Sequence, residues 1–104
     1  MNVTFTTALV LEAIAAGYHY GFDVIDATGL PSGTVYPALR RCEEEGLLRS
    51  RWEKAAIAHE EGRPPRRYYE VTASGERWLS EARARFRRLE ASLPRKLRPA
   101  RAEG

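Results

Sequence analysis

The sequence predicts a mostly α-helical chain carrying one small β-hairpin, an α+β fold. Helix-forming stretches with apolar residues at helical spacing lie near both ends of the chain, and glycine or proline closes each of them. Two short strand-like segments fall together between residues 48 and 72, separated by a run rich in turn residues.

At 104 residues the chain is long enough for one core and too short for a catalytic domain beside a separate binding domain. Its 43% hydrophobic and 30% charged residues are the balance of a soluble globular protein, and no stretch approaches the roughly 18 apolar residues of a membrane span. Residues Ala8 to Ala16 are mostly apolar, but Glu12 interrupts them and no basic region precedes them, so no secretory leader is expected. The single Cys42 has no disulfide partner within the chain, and His19 and His59 lie too far apart for a zinc set. The expectation is a cytoplasmic protein without metal or cofactor.

The first helix is expected over Phe5 to Ala16 (FTTALVLEAIAA), stopped by Gly17. It is apolar on nearly every face, more than one small domain can cover, which points to a second subunit against residues such as Leu9. A short helix follows over Gly21 to Thr28 and ends at Gly29, with Leu30 and Pro31 as a tight connection. The third helix runs from Ser32, its expected cap with Thr34 as competitor, to about Glu45, with Pro37 near the first turn and Gly46 closing it. On it Val35, Ala38, Leu39 and Cys42 share one face, while Gly33, Tyr36, Pro37 and Arg40 fall on or near the opposite one. Cys42 therefore reads as core packing rather than as a reactive thiol.

Leu48 to Lys54 and Arg67 to Thr72 are the two expected antiparallel strands, and Ala55 to Arg66 between them is expected to be a mobile surface loop. Thr72 can cap a last helix over Ala73 to Leu93, ended by Pro94. Leu79, Ala82, Phe86, Leu89 and Leu93 follow 3-4-3-4 spacing on it, a seam of about two heptads. So short a seam rarely holds alone, and it is expected to pair with the first helix and with their copies in a homodimer. The chain thus divides into a unit of three helices and a hairpin at 1–72, a dimerisation helix at 73–94 and a disordered basic tail at 95–104 that includes Arg98 and Arg101.

Helix, short helix, tight turn, helix, two strands around a loop and a long helix is the order of a winged helix-turn-helix. In that arrangement the second helix of the motif enters the major groove of duplex DNA. Here Ser32, Thr34 and Tyr36 offer hydroxyl groups, and Arg40, with Arg41 to its side, offers a guanidinium to phosphate or guanine. Net charge is only +3, but the basic residues cluster, as in the proline-stiffened run Gly62-Arg63-Pro64-Pro65-Arg66-Arg67. Arg63, Arg66 and Arg67 are accordingly candidate phosphate or minor-groove contacts. Tyr68 and Tyr69 point to opposite faces of a strand, so one belongs to the core; Tyr69 is taken as the backbone contact.

The segments Thr34-Val35-Tyr36-Pro37-Ala38-Leu39-Arg40-Arg41, Glu43-Glu44-Glu45-Gly46-Leu47-Leu48 and Gly62 to Thr72 with Gly75 together resemble the PadR family over about residues 5 to 80. The resemblance implies a dimeric repressor whose recognition helix enters the major groove, whose wing reaches phosphate or minor groove, and whose first and last helices build the dimer. Where that family commonly has a His-Gly pair after the first helix, this chain has Tyr20-Gly21. Family members with a short last helix bind flat hydrophobic molecules between subunits, which marks Trp78 as a candidate effector contact against its plainer role in packing.

The reading is therefore a sequence-specific dimeric regulator, acting as a repressor at a palindromic operator, with a small hydrophobic effector as a further partner. The competing reading is a protein-interaction module that uses the acidic runs and the last helix as docking surfaces. An enzyme is not expected, since no residues are spaced as nucleophile, base and orienter and no glycine-rich phosphate loop is present.

Overall fold

A computed structural model describes residues 4–97. The elements are α1 (Phe5–Ala15), α2 (Gly21–Thr28), α3 (Ser32–Glu44), β1 (Leu48–Trp52), α4 (Ala55–Glu60), β2 (Arg67–Val71), α5 (Ala73–Ser92) and a 3-10 turn (Arg95–Leu97). The strands form one antiparallel ladder in which Leu48 faces Val71, Ser50 faces Tyr69 and Trp52 faces Arg67.

Helix α1 is the hub, touching α2, α3, β2 and α5. Thr4 caps it by accepting from the Thr7 amide at 3.1 Å. Its Val10, Leu11 and Ile14 are wholly or almost wholly buried, together with Val24 of α2, Val35 and Leu39 of α3, Leu48 of β1 and Leu79 of α5. Each such side chain contributes roughly 1.5–3 kcal/mol by leaving water. Helix α2 ends at Gly29, whose φ of 72° turns the chain sharply into Leu30-Pro31 and so sets the turn between α2 and α3. Cys42 packs into the same core, and burial pushes its thiol up to about 11, which favours the protonated form.

The segment before α2 adds a rudimentary third strand. Tyr20 bridges Tyr68. The Tyr69 amide donates to the His19 carbonyl at 2.9 Å, and His19 Nδ1 donates to the Tyr69 carbonyl at 2.9 Å. The His19 ring stacks on Tyr68 at 4.5 Å. These bonds place β2 between β1 and the segment that links α1 to α2.

Thr72 is a double fastener between α3 and α5. Its hydroxyl caps α5 by accepting from the Gly75 amide at 3.0 Å and donates to the Gly46 carbonyl at 2.6 Å. Gly75 is obligatory for this approach, because a Cβ there would lie 2.1 Å from the Leu47 carbonyl oxygen. The inner face of α5 then buries Trp78, Leu79 and Ala82. Further along, Arg83 grips Glu12 of α1 at 2.6 and 2.9 Å, and the Phe5 and Phe86 rings meet edge to face at 6.1 Å.

Four expectations change. The cap of α3 is Pro31, without a side-chain bond, and Ser32 is already helical. Pro37 consequently falls in the second turn, leaving the carbonyl of exposed Gly33 without its helical donor. The expected loop at 55–66 begins with helix α4, whose Ala58 is 1% exposed. Ala55, Ala56 and Ala58 carry that helix, and six residues are too few for a periodic signal. Residues Arg95–Leu97 of the expected disordered tail form a 3-10 turn, while 98–104, with Arg98 and Arg101, lie outside the described residues.

The seam on α5 divides. Leu79 and Ala82 are wholly buried in the chain's own core and are not available to a second subunit. Leu89 is 58% exposed, and Phe86 and Leu93 are half-buried. Phe5 of α1 is 66% exposed beside half-buried Leu9. Trp78 is 8% exposed and packs within the core.

Candidate nucleic-acid interface

Helices α2 and α3 form the helix-turn-helix, and the hairpin with its α4 insert forms the wing. The inner face of α3 is Val35, Ala38, Leu39 and Cys42, so geometry forces Ser32, Tyr36, Arg40 and Arg41 outward, and all of these are exposed; Thr34 is half-buried. Among the described residues neither Arg40 nor Arg41 is in a salt bridge. Their guanidinium groups are free to meet an anion or a base edge. Tyr36 lies against α2 where Gly21 leaves room, since a Cβ at Gly21 would stand 2.5 Å from the Tyr36 ring.

The wing arginines behave differently from one another. Arg63 is locked inside the wing by Glu53 at 2.6 and 3.0 Å and by Glu61, with its side chain only 19% exposed. So held, Arg63 is a clip that closes the loop onto the end of β1, in contrast to the free guanidinium expected of a phosphate contact. The Arg63 hydrogen bonds hold the Glu53 carboxyl below its usual range. Arg67 donates to Ser50 Oγ at 2.8 Å and to Glu43 at 3.2 Å, and Ser50 itself donates to Glu43, tying the wing to α3. Arg49 and Arg51 share Glu70 at 3.3 and 3.4 Å, which lowers that carboxyl too. Arg66 is in no salt bridge among the described residues, although its charge adds to the lowering of Glu53, and its guanidinium lies 5.3 Å from the Tyr20 ring centre.

Tyr69, expected as the backbone contact, is the core tyrosine of its pair, 8% exposed, with its phenol pushed up chiefly by burial. Trp52, in strand alternation with buried Leu48, is instead 63% exposed, because the end of β1 runs past the core. Its ring carries the Arg67 guanidinium at 5.5 Å. Between α2, the start of α3 and the wing lies a groove of about 650 Å³ lined by Phe22, Tyr36, Trp52, Arg66 and Arg67 among others. Sequence reasoning missed Phe22 and Trp52 here; the available signal was a tryptophan within a strand otherwise flanked by arginines.

Fold and face together define a winged helix-turn-helix protein. The model of the "Transcriptional regulator PadR-like family" matches residues 10–81, and the chain belongs to that family. Its members are transcription regulators and not enzymes. A PadR family transcription regulator from Clostridium difficile has a similar fold, at 22% identity and a TM-score of 0.75 over 85% of this chain and 93% of that one. A PadR-like transcription factor from bacteroid fragilis is similar at 26% identity, with a TM-score of 0.70 over 83% of this chain and 84% of that one. Bordetella bronchiseptica BpsR, solved in a study of how 6-hydroxynicotinic acid regulates its DNA binding, matches at 18% identity and a TM-score of 0.67, over 88% of this chain and 60% of that one. No curated protein matches the chain in sequence.

Proposed function

We propose that this chain is a homodimeric, sequence-specific DNA-binding regulator, acting as a repressor in the cytoplasm, that reads a palindromic operator with α3. The observation that carries the reading is the outward face of α3: Ser32, Tyr36, Arg40 and Arg41 stand exposed, with both guanidinium groups outside any ion pair among the described residues. Arg40 is the residue for a base edge, where a bidentate pair with guanine discriminates, and Arg66 of the wing is the residue for phosphate.

Dimerisation is supported by the apolar surface that α1 and the outer half of α5 present, in particular exposed Phe5 and Leu89 with half-buried Leu9 and Phe86 beside them. A small hydrophobic effector would then sit between the outer halves of α5, against Phe86 rather than Trp78. In sedimentation, Leu89→Ser is expected to move the protein from dimer toward monomer; a variant as dimeric as the wild type removes this face from the interface.

The test of function is selection of bound duplexes from a random pool, followed by anisotropy titration of the selected site at several salt concentrations. An enriched palindrome with half-sites about one helical turn apart is expected. Equal binding to unrelated duplexes overturns sequence reading, and absence of duplex binding leaves the protein-interaction module.

A further inference from the structure

We propose that the groove between α2, α3 and the wing is a clamp for one sugar–phosphate strand of duplex DNA, in which Phe22 and Trp52 press on deoxyribose and Arg66 holds the adjoining phosphate. The inference rests on the DNA-binding reading above and extends it to residues outside the recognition helix.

Three properties of the groove carry it. Its aromatic wall is costly to leave in water: Phe22 is 71% exposed, Trp52 63% and Tyr36 45%, and all three line the same space of about 650 Å³. Large aromatic groups gathered on one surface mark a contact site. The charge of the lining is positive where it is free. Arg66 is in no salt bridge among the described residues, Arg67 is committed to Ser50 and Glu43 but keeps its guanidinium over the Trp52 ring at 5.5 Å, and Asp23 is the one acidic residue among the described residues of the lining. A deoxyribose–phosphate strand alternates apolar sugar faces with anionic phosphates, which matches rings interleaved with guanidinium groups.

The groove is also held open in advance. Gly21 gives the Tyr36 ring its place, Arg63 clips the wing through Glu53 and Glu61, and the Glu43–Ser50–Arg67 chain spaces the wing from α3. A strand entering this clamp meets side chains already ordered, so little conformational freedom is lost on docking. Helix α3 forms one wall, so the strand held here borders the major groove that α3 enters.

The chain's two tryptophans make the test direct, because Trp78 is 8% exposed and Trp52 63%. Acrylamide quenching of the full chain is measured free and bound to its selected duplex, with Trp52→Phe isolating the Trp78 signal. Quenching of Trp52 is expected to fall on binding, and the Trp52→Phe protein, which keeps an aromatic ring, is expected to bind normally. Trp52→Ala and Phe22→Ala are expected to weaken binding about fivefold or more each with an unchanged salt slope, as loss of an uncharged aromatic contact does. Arg66→Ala is expected to lower the slope by about 0.9, one phosphate. Normal binding by both alanine variants, or a Trp52 that stays accessible in the complex, overturns the clamp while leaving DNA recognition by α3 intact. A wild-type chain that binds no duplex at all overturns both.

Discussion

The exposed face of α3 and the wing both carry arginines, and the two differ in whether those arginines are paired with carboxylates. Arg40 and Arg41 project from α3 outside any salt bridge among the described residues, whereas Arg49, Arg51, Arg63 and Arg67 of the wing are each bound to a glutamate. The wing spends most of its positive charge on its own architecture. Counting basic residues along a sequence therefore overstates what a surface offers to an anion, and the difference appears only when each guanidinium is followed to its partner.

The sharpest way to break this comparison is Arg40→Ala. Loss of a base contact from α3 is expected to weaken binding to the selected duplex by about 1–3 kcal/mol and to relax preference at one position of the site, read by anisotropy and by repeating the selection. Binding as tight as wild type would put the free charges of α3 away from the DNA.

Arg63→Ala sits next. With the clip gone, amide exchange from Glu53 to Arg67 is expected to accelerate by about tenfold or more while the α1 and α3 amides keep their protection, as for a unit that opens locally. The salt dependence of DNA binding should keep its slope, because Arg63 faces carboxylates and not phosphate; a slope lowered by about one contact would return Arg63 to the interface.

Acid should imitate that variant. The Glu53 carboxyl is held below its ordinary value of 4.5 by Arg63, so the folded wing prefers it ionised. The stabilisation is complete above the unfolded-state value and is lost as pH falls through the lowered one. Wild-type protection of the wing amides, corrected for the intrinsic pH dependence of exchange, should thus fall below about pH 4.5 and converge on that of Arg63→Ala; the same acid response in the variant would place the titrating group elsewhere. The smallest effect belongs to Arg49→Ala with Arg51→Ala. Exposed pairs such as theirs with Glu70 contribute little, so the unfolding midpoint in urea should not move measurably.

The frame of this fold is legible in the chain because its signals are local. Val35, Ala38, Leu39 and Cys42 recur at helical spacing and are all buried, Thr72 caps α5, and Gly29 ends α2 with positive φ. The outward residues of α3 follow from that inner face by geometry alone. What escaped the sequence depends on pairs distant in the chain or on where an element outruns the core. Arg63 meets Glu53 across ten residues, Arg67 meets Glu43 across twenty-four, and no periodicity encodes either meeting. Leu79 and Leu89 belong to the same heptad seam, yet one is 0% and the other 58% exposed, because α5 continues past the body of the domain. Tyr68 and Tyr69 were separable only as a pair, and the pleat that buries Tyr69 is set by its pairing with Ser50.

The joint at Thr72 gives α5 the mechanics of a lever with no play at its pivot. Its first turn rests on the Leu47 carbonyl through Gly75 and is tied to Gly46, the residue after the end cap of α3. Twenty residues of helix extend from that pivot, about 30 Å of arm, so a swing of about 10° at the root is about 5 Å at the tip. Whatever grips the far end of α5 therefore dictates the stance of α3. In a dimer of the kind proposed, the span between the two α3 helices would be set at the opposite end of the molecule.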